Sequence, residues 1–366
     1  MKALILTNHQ LGLYKFRREF LEKLVEDKYE VTVSVPDGEF TRELEELGIR
    51  VILDRYMDRR GTNPISDLKL LRYYTGLIKK ISPDVVLTYT IKSNVYGGYV
   101  CGRLKVPYIA NVTGLGTSIE NGGLIRTLTL SMYKNGLKKA QKVFFQNRNN
   151  MNYMLDRRVI SESKCDLLPG SGVNTESFGY LPYPENDKKV VFTTIGRIMR
   201  DKGIDELLSA ASEIKKNYPE VVFRLIGDYD ENCEKTVEQM VQRGVIEHIP
   251  FQKDIRPFIS ESHAIIHASY HEGMSNVLLE AASSGRPVIA TNVPGCIETF
   301  EPGVTGISFE PKSAKSLVTA IEQFLSLTHD QKKQMGKSGR EKMVREFDRN
   351  IVIEKYMDQI GSIAEI

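Results

Sequence analysis

The sequence predicts two α/β domains in tandem, each a mainly parallel sheet with helices between its strands. Three observations point there. Short apolar runs alternate with helix-period stretches along the chain, the pattern of repeated strand–helix–strand units. That rhythm is interrupted at Pro169 to Phe178 (PGSGVNTESF) and then starts again. A chain of 366 residues also suits two domains, at roughly 100–200 residues each.

In the first half the apolar runs place strands near 2–7, 31–35, 50–53, 84–89, 107–112, 143–145 and 165–168. Helices are expected near 15–28, 40–47, 66–81, 94–104, 124–139 and 149–156. Gly48 follows Thr41 to Leu47 as a helix-ending glycine. The Gly- and Ser-rich stretch after Pro169, with Pro182 and Pro184 close behind, reads as a linker. Beyond it, strands are expected near 189–195, 221–226, 246–251, 264–267, 287–290 and 306–309, with a helix over Asp205 to Asn217. The domains are drawn at 1–170 and 171–348, with a last helical segment at 349–366.

No run of about 18 apolar residues exists, so no spanning helix is expected. No secretory signal is read in the first residues, and Cys101, Cys165, Cys233 and Cys296 are scattered without a C-x-x-C pair. These features suit a cytoplasmic location. The net charge of +3 hides an asymmetry: residues 1–180 hold 27 Lys and Arg against 19 Asp and Glu, a net of +8. Within 85–155 nine basic residues face one acid, Glu120. Such a one-signed stretch favours an anionic partner, a phospholipid surface or a lipid diphosphate. Nucleic acid is not expected, since no recognition module is visible.

The richest stretch is His271 to Ile289 (HEGMSNVLLEAASSGRPVI). It reads as a strand exit, a glycine turn, a helix starting at Ser275 or Asn276, and a buried strand. Glu272 and Glu280 stand eight positions apart, roughly 12 Å if the interval is helical, at about 1.5 Å per residue. The open N–H groups of a helix start, near Met274, Ser275 and Asn276, make a seat for phosphate. Upstream, the run Lys189 to Thr194 opens into Gly196, Arg197 and Lys202 before the helix at Asp205. Cations just past a strand's carboxyl end suit a diphosphate, because ligands of open α/β sheets bind there. The plainer reading of each is a solvated loop charge; the constellation favours the site.

The patterns G-R-x4-K-G (Gly196 to Gly203) and E-G-x6-E-A-x3-G-x-P-V-I (Glu272 to Ile289) resemble the retaining glycosyltransferases of family four, which have the GT-B fold. Gly295 with Glu298, and Gly303 to Gly306, extend the likeness. The resemblance implies two Rossmann-like domains facing across a cleft, with a C-terminal helix crossing back to the first. It also implies roles. Arg197 and Lys202 stabilise the leaving UDP, Glu272 positions the donor sugar, and Glu280 accepts from the ribose hydroxyls. Gly273 and the amides at Met274, Ser275 and Asn276 support the phosphates. Residues 86–178 resemble a narrower branch that moves a sugar from a UDP-sugar, galactose or N-acetylgalactosamine, onto a polyprenyl-diphosphate-linked saccharide in bacterial surface polysaccharide or glycan assembly. The expected enzyme is metal-independent, uses no cofactor, and sits peripherally on the inner face of the cell membrane. An epimerase on the same fold, or a non-catalytic UDP-sugar-binding protein, are the alternatives.

In the first half, the loop Thr7 to Arg18 offers Gly12 for close backbone approach and Arg17 for an acceptor diphosphate. Thr113, in Asn111 to Thr117, stands where many family members carry His. The helix Leu124 to Ala140 has two readings, a core-facing amphipathic helix or a membrane contact. Asp228-Tyr229-Asp230 looks like a metal triplet, but the nearby cations make a metal unnecessary. His263, His267 and His271 have metal-like spacing, but Ala264 to Ile266 reads as a buried strand, which would not bring the rings together; they read as structural, with His271 at the cleft.

Overall fold

A computed structural model describes residues 1–36, 38, 40–57, 63–116, 119, 122–185 and 189–364. Thr117 and Glu120, which figure in the sequence reading, lie outside the described residues. The chain forms two compact units, Met1–Ser171 together with Asn350–Ile366, and Gly172–Arg349.

The first unit has seven strands: β1 (Lys2–Leu6), β2 (Glu30–Val35), β3 (Arg50–Leu53), β4 (Val85–Tyr89), β5 (Tyr108–Val112), β6 (Lys142–Phe145) and β7 (Cys165–Leu167). They lie in the order β3-β2-β1-β4-β5-β6-β7, and every neighbouring pair is parallel. Strands such as VVLTY and YIANV are buried along their whole length, as a sheet covered on both faces requires. The second unit repeats the arrangement with β8 (Val191–Ile195), β9 (Val222–Ile226), β10 (Glu247–Ile249), β11 (Ala264–His267), β12 (Val288–Thr291) and β13 (Gly306–Phe309), in the order β10-β9-β8-β11-β12-β13. In both sheets the order reverses beside the first strand, between β1 and β4 and between β8 and β11. Such a reversal opens a crevice at the carboxyl ends of those strands.

Strand positions agree with expectation to within a few residues; the helices differ in instructive ways. The first begins at Gln10, not near 15, because the His9 side chain caps it by accepting from Gly12 N–H at 2.9 Å. The helix expected near 94–104 enters through a wider π turn, Ser93–Gly97, before the α segment Gly98–Leu104. Glycine allows this packing: a Cβ on Gly98 would fall 2.2 Å from the Gly136 carbonyl oxygen. Tyr108 Oη donates to that same carbonyl at 2.6 Å.

The last helix, Arg349–Ala364, buries Val352, Tyr356 and Ile360 among Phe20, Leu24 and Phe144 of the first unit. Tyr356 is fully buried, its ring centroid 4.7 Å from that of Phe20 and 5.2 Å from that of Phe144. Its hydroxyl donates to Asn111 Oδ1 at the end of β5. Asn111 Nδ2 donates to the Thr88 carbonyl at 3.1 Å, and Asn94 Nδ2 donates to the Asn111 carbonyl at 2.8 Å. Thr88 Oγ1 closes the network on Asn94 Oδ1 at 2.7 Å. Tyr356→Phe keeps the ring and strands the Asn111 oxygen in the core. Stability in urea is expected to fall by about 1–3 kcal/mol; an unchanged unfolding midpoint would show that the network does not hold the helix.

Candidate functional site

The best-formed site lies in the second unit, where the order of strands reverses. The loop after β8 runs through Gly196 and Arg197 into a short turn, Arg200–Lys202, and the helix Ile204–Asn217. Gly203 between them has φ +71°, and a Cβ there would sit 2.2 Å from the Ala268 carbonyl oxygen. Only glycine lets the loops after β8 and β11 lie so close. Tyr270 N–H donates to the Asp201 carbonyl at 2.9 Å and ties them together. The result is that Lys202 Nζ, from the first loop, reaches Glu272 Oε1, from the second, at 2.5 Å.

Glu272 has a second partner on the same oxygen. His267, the last residue of β11, places Nε2 at 2.9 Å from Oε1 and at 3.2 Å from Ser275 Oγ. Burial alone would raise the Glu272 pKa. The His267 hydrogen bond and the Lys202 charge outweigh it and hold the carboxyl at about 2. Glu272 is therefore ionised at neutral pH. The backbone behind it is equally constrained: Gly295 has φ +83°, and a Cβ there would meet the Glu272 carbonyl oxygen at 2.5 Å. Glu298 Oε2 holds that turn by accepting from Gly295 N–H at 2.7 Å.

The helix expected from Ser275 or Asn276 runs Asn276–Ser283, with Ser275 as its cap: Ser275 Oγ accepts from Leu278 N–H. Two sequence expectations change here. The interval from Glu272 to Glu280 is helical only from Asn276, so the 12 Å helical span does not apply. Ser275 N–H donates to the Gly295 carbonyl at 2.8 Å and is not offered to a ligand. The first-turn amides left without intrahelical acceptors are those of Asn276 and Val277. Asn276 Oδ1 is buried with no hydrogen-bond partner. Glu280 is one turn further on, on the same face as Asn276. Met274 turns its side chain into a small core with Leu279, Met343 and Phe347, while Gly273 sits in the turn between Glu272 and Met274.

Gly196 is the first residue past β8; its N–H donates to the Ile226 carbonyl at 2.9 Å, and a Cβ added to it would meet nothing within 4 Å. Its carbonyl is pressed onto Gly227, where a Cβ would fall 1.8 Å away. Arg197 pairs through Nη1 with Asp230. Asp228 Oδ1 accepts from Phe251 N–H at 3.0 Å, so the two aspartates of the D-x-D triplet serve different partners. Among the described residues no three His, Cys, Asp or Glu side chains gather as a metal cluster would.

The other candidates stand in the first unit. Gly12 lies inside the first helix, not in a loop, and makes room for the His9 cap; a Cβ would be 3.1 Å from Nδ1. Arg17 is buried with its guanidinium carbon 5.3 Å from the Tyr89 ring centroid, and Nη1 donates to the Phe16 carbonyl. Thr113 is partly buried one residue past β5.

His263 is structural as expected, its Nδ1 accepting from Val191 N–H at 3.1 Å. His267, also read as structural, holds Glu272 from the carboxyl end of β11, beside the reversal. Asp230, read as part of a metal-like triplet, pairs with Arg197.

The family described as "Glycosyl transferases group 1" matches residues 182–342, which hold this site, and "Glycosyl transferase 4-like" matches residues 3–147. The two halves of the chain are thus glycosyl transferase domains, and the fold they build is GT-B. Among relatives of this glycosyltransferase, the N,N'-diacetylbacillosaminyl-diphospho-undecaprenol alpha-1,3-N-acetylgalactosaminyltransferase of Campylobacter jejuni is 27% identical over 98% of this chain and 97% of its own. The capsular polysaccharide biosynthesis glycosyltransferase CapM of Staphylococcus aureus is 24% identical over 96% of this chain and 94% of its own. Anabaena Alr3699/HepE, solved with UDP-glucose, superposes with a TM-score of 0.79 at 18% identity, covering 99% of this chain and all (100%) of that one.

The acid response of the site follows from the depressed carboxyl. A group held below its ordinary 4.5 contributes stability that is complete above that value and lost as pH falls towards about 2. Against a Glu272→Gln variant, wild type should lose about 3 kcal/mol of relative stability across that interval. Urea unfolding at a series of pH values checks this, and a pH-independent difference would place the Glu272 carboxyl at its ordinary value.

Proposed function

We propose that this glycosyltransferase moves a hexose or N-acetylhexosamine, with retention, from a UDP-sugar to a polyprenyl-diphosphate-linked saccharide in surface polysaccharide or glycan assembly. The observation that carries the reading is the Lys202–Glu272 pair at the strand-order reversal, beside the start of the helix Asn276–Ser283. The donor sugar is galactose or N-acetylgalactosamine in this reading. The Campylobacter jejuni relative, whose printed name gives an N-acetylgalactosaminyl transfer to a diphospho-undecaprenol acceptor, supports both donor and acceptor.

In the proposed donor complex, the diphosphate lies against Lys202, Arg197 and the amides of Asn276 and Val277. These positive groups stabilise the charge that grows on UDP as the bond to the anomeric carbon breaks. Glu280 accepts from the ribose hydroxyls. Glu272 accepts from hydroxyls of the sugar. In this reading the acceptor hydroxyl attacks from the leaving-group side: its oxygen bonds the anomeric carbon, the carbon–phosphate oxygen bond breaks, and the proton passes to that departing oxygen. The charge assigned elsewhere to a metal is supplied by side chains and amides.

Lys202→Ala is expected to lower turnover by about two to three orders of magnitude, and Arg197→Ala by about one to two, the scale for loss of a charge-stabilising group. UDP release in the presence of acceptor measures this, and near-normal rates would remove both residues from the mechanism. The same assay in EDTA should run undiminished; a strict Mn²⁺ requirement would overturn the metal-free reading. Incubation without acceptor should leave the donor's configuration unchanged, whereas an epimerised donor would identify an epimerase.

A further inference from the structure

The loops that Lys202 and Glu272 join are joined a second time, by residues with no part in the proposed donor complex. Tyr270, two positions before Glu272, donates from Oη to Glu206 Oε2 at 2.8 Å. Glu206 stands in the first turn of the helix Ile204–Asn217, which begins two residues after Lys202. The bond therefore ties the loop that carries Glu272 to the helix that the Lys202 loop leads into. Burial and the Glu206 carboxylate raise the Tyr270 pKa, so the phenol keeps its proton and remains the donor. The ring is held as well, with Lys312 Nζ, from the segment after β13, 4.9 Å from its centroid. Thr291 Oγ1 donates to the Ser269 carbonyl at 2.6 Å, and Ser269 Oγ to the His271 carbonyl at 3.1 Å. These bonds fix the backbone on either side of Tyr270.

A donor would change one of the two ties and spare the other. A diphosphate that takes Lys202 as its counter-cation competes with Glu272 for an ammonium that lies 2.5 Å from Oε1. The bond from Tyr270 to Glu206 involves neither group. We propose that Tyr270 is a positioning residue for glycosyl transfer: through Glu206 it holds the Glu272 loop in place while the donor diphosphate draws Lys202 away. The role rests on the donor reading above, and Tyr270 acts through Glu272, not on the substrate. A loop held by one ion pair would shift as that pair loosened, and a misplacement of about 1 Å costs about 100-fold in rate. The second tie removes that dependence.

Tyr270→Phe keeps the ring and removes only the hydroxyl, which leaves the core intact. With UDP-N-acetylgalactosamine and an undecaprenyl-diphosphate-linked sugar, its kcat should fall about tenfold while the donor KM moves less than about twofold. Glu206→Ala should match it, and the double variant should fall no further, since the two residues make one interaction. Glu206→Gln keeps an acceptor for the hydroxyl but gives up a negative charge at a helix N-terminus. It should melt at a lower temperature yet keep the wild-type kcat, a separation that a merely stabilising role would not produce. Hydrogen exchange reads the same tie without turnover. The Tyr270 amide, which donates to the Asp201 carbonyl, should exchange within about threefold of the wild-type rate in Lys202→Ala. In Lys202→Ala with Tyr270→Phe it should exchange at least about tenfold faster than in Lys202→Ala alone. A wild-type kcat in Tyr270→Phe, equal losses in Glu206→Gln and Glu206→Ala, or equal exchange with and without the hydroxyl in the Lys202→Ala background overturns the proposal. The exchange measurement uses no nucleotide, so it fails separately from the donor reading, which is lost instead if Lys202→Ala turns over at a normal rate.

Discussion

The ion pair between Lys202 and Glu272 is the constraint around which the second unit is arranged. Its partners come from loops at the ends of β8 and β11, the two strands between which the order reverses. A buried carboxylate facing no cation would take up a proton. With Lys202 and His267 on the same oxygen, Glu272 keeps its charge. The pair keeps a cation beside a helix start. Breaking it from either side leaves a buried charge unmatched, which is why each residue depends on the other.

Backbone contacts make that meeting possible, and glycine makes the contacts possible. The Gly203 backbone touches Ala268, Gly295 touches Glu272, and Gly227 touches Gly196, each so closely that a methyl group could not be added. Three of these six residues belong to the motifs Gly196 to Gly203 and Glu272 to Ile289, and the others are what those motifs press against. The two motifs are thus a single object in space. Their glycines set the distance between loops, and the charged residues between them inherit that distance.

This explains what could be read from the sequence and what could not. Strand runs were legible because a sheet buried on both faces needs continuous apolar residues, as in VVLTY. Lys202 and Glu272 were legible because the glycines around them are unusual in number and spacing. Pairings between distant residues have no periodic signature. Arg197 meets Asp230 across 33 positions, and Tyr356 meets Asn111 across 245. The early start of the first helix was hidden for a local reason: histidine is an uncommon cap, and Gly12 in its first turn reads as a loop. The helix start was placed at Ser275 or Asn276, but the Ser275 amide was assigned to phosphate because the Gly295 carbonyl that takes it lies on another loop.

The two units share a strand order yet secure their strand ends by opposite chemistry. In the first, Thr88, Asn94, Asn111 and Tyr356 satisfy one another with neutral hydrogen bonds. A neutral network of that kind costs less to remove from water than ions do, and pH does not disturb it. In the second, the ends of β8 and β11 are held by a lysine, a histidine and a carboxylate kept near 2. Topology alone offers a crevice in both. The second unit sets an ion pair at its reversal, whereas the first unit's network lies beside the buried Arg17 guanidinium, 6.0 Å from the Tyr356 ring centroid. In the proposed donor complex the rupture of a sugar–diphosphate bond needs positive groups at the departing oxygen, and the loops of the second unit are the ones proposed to supply them.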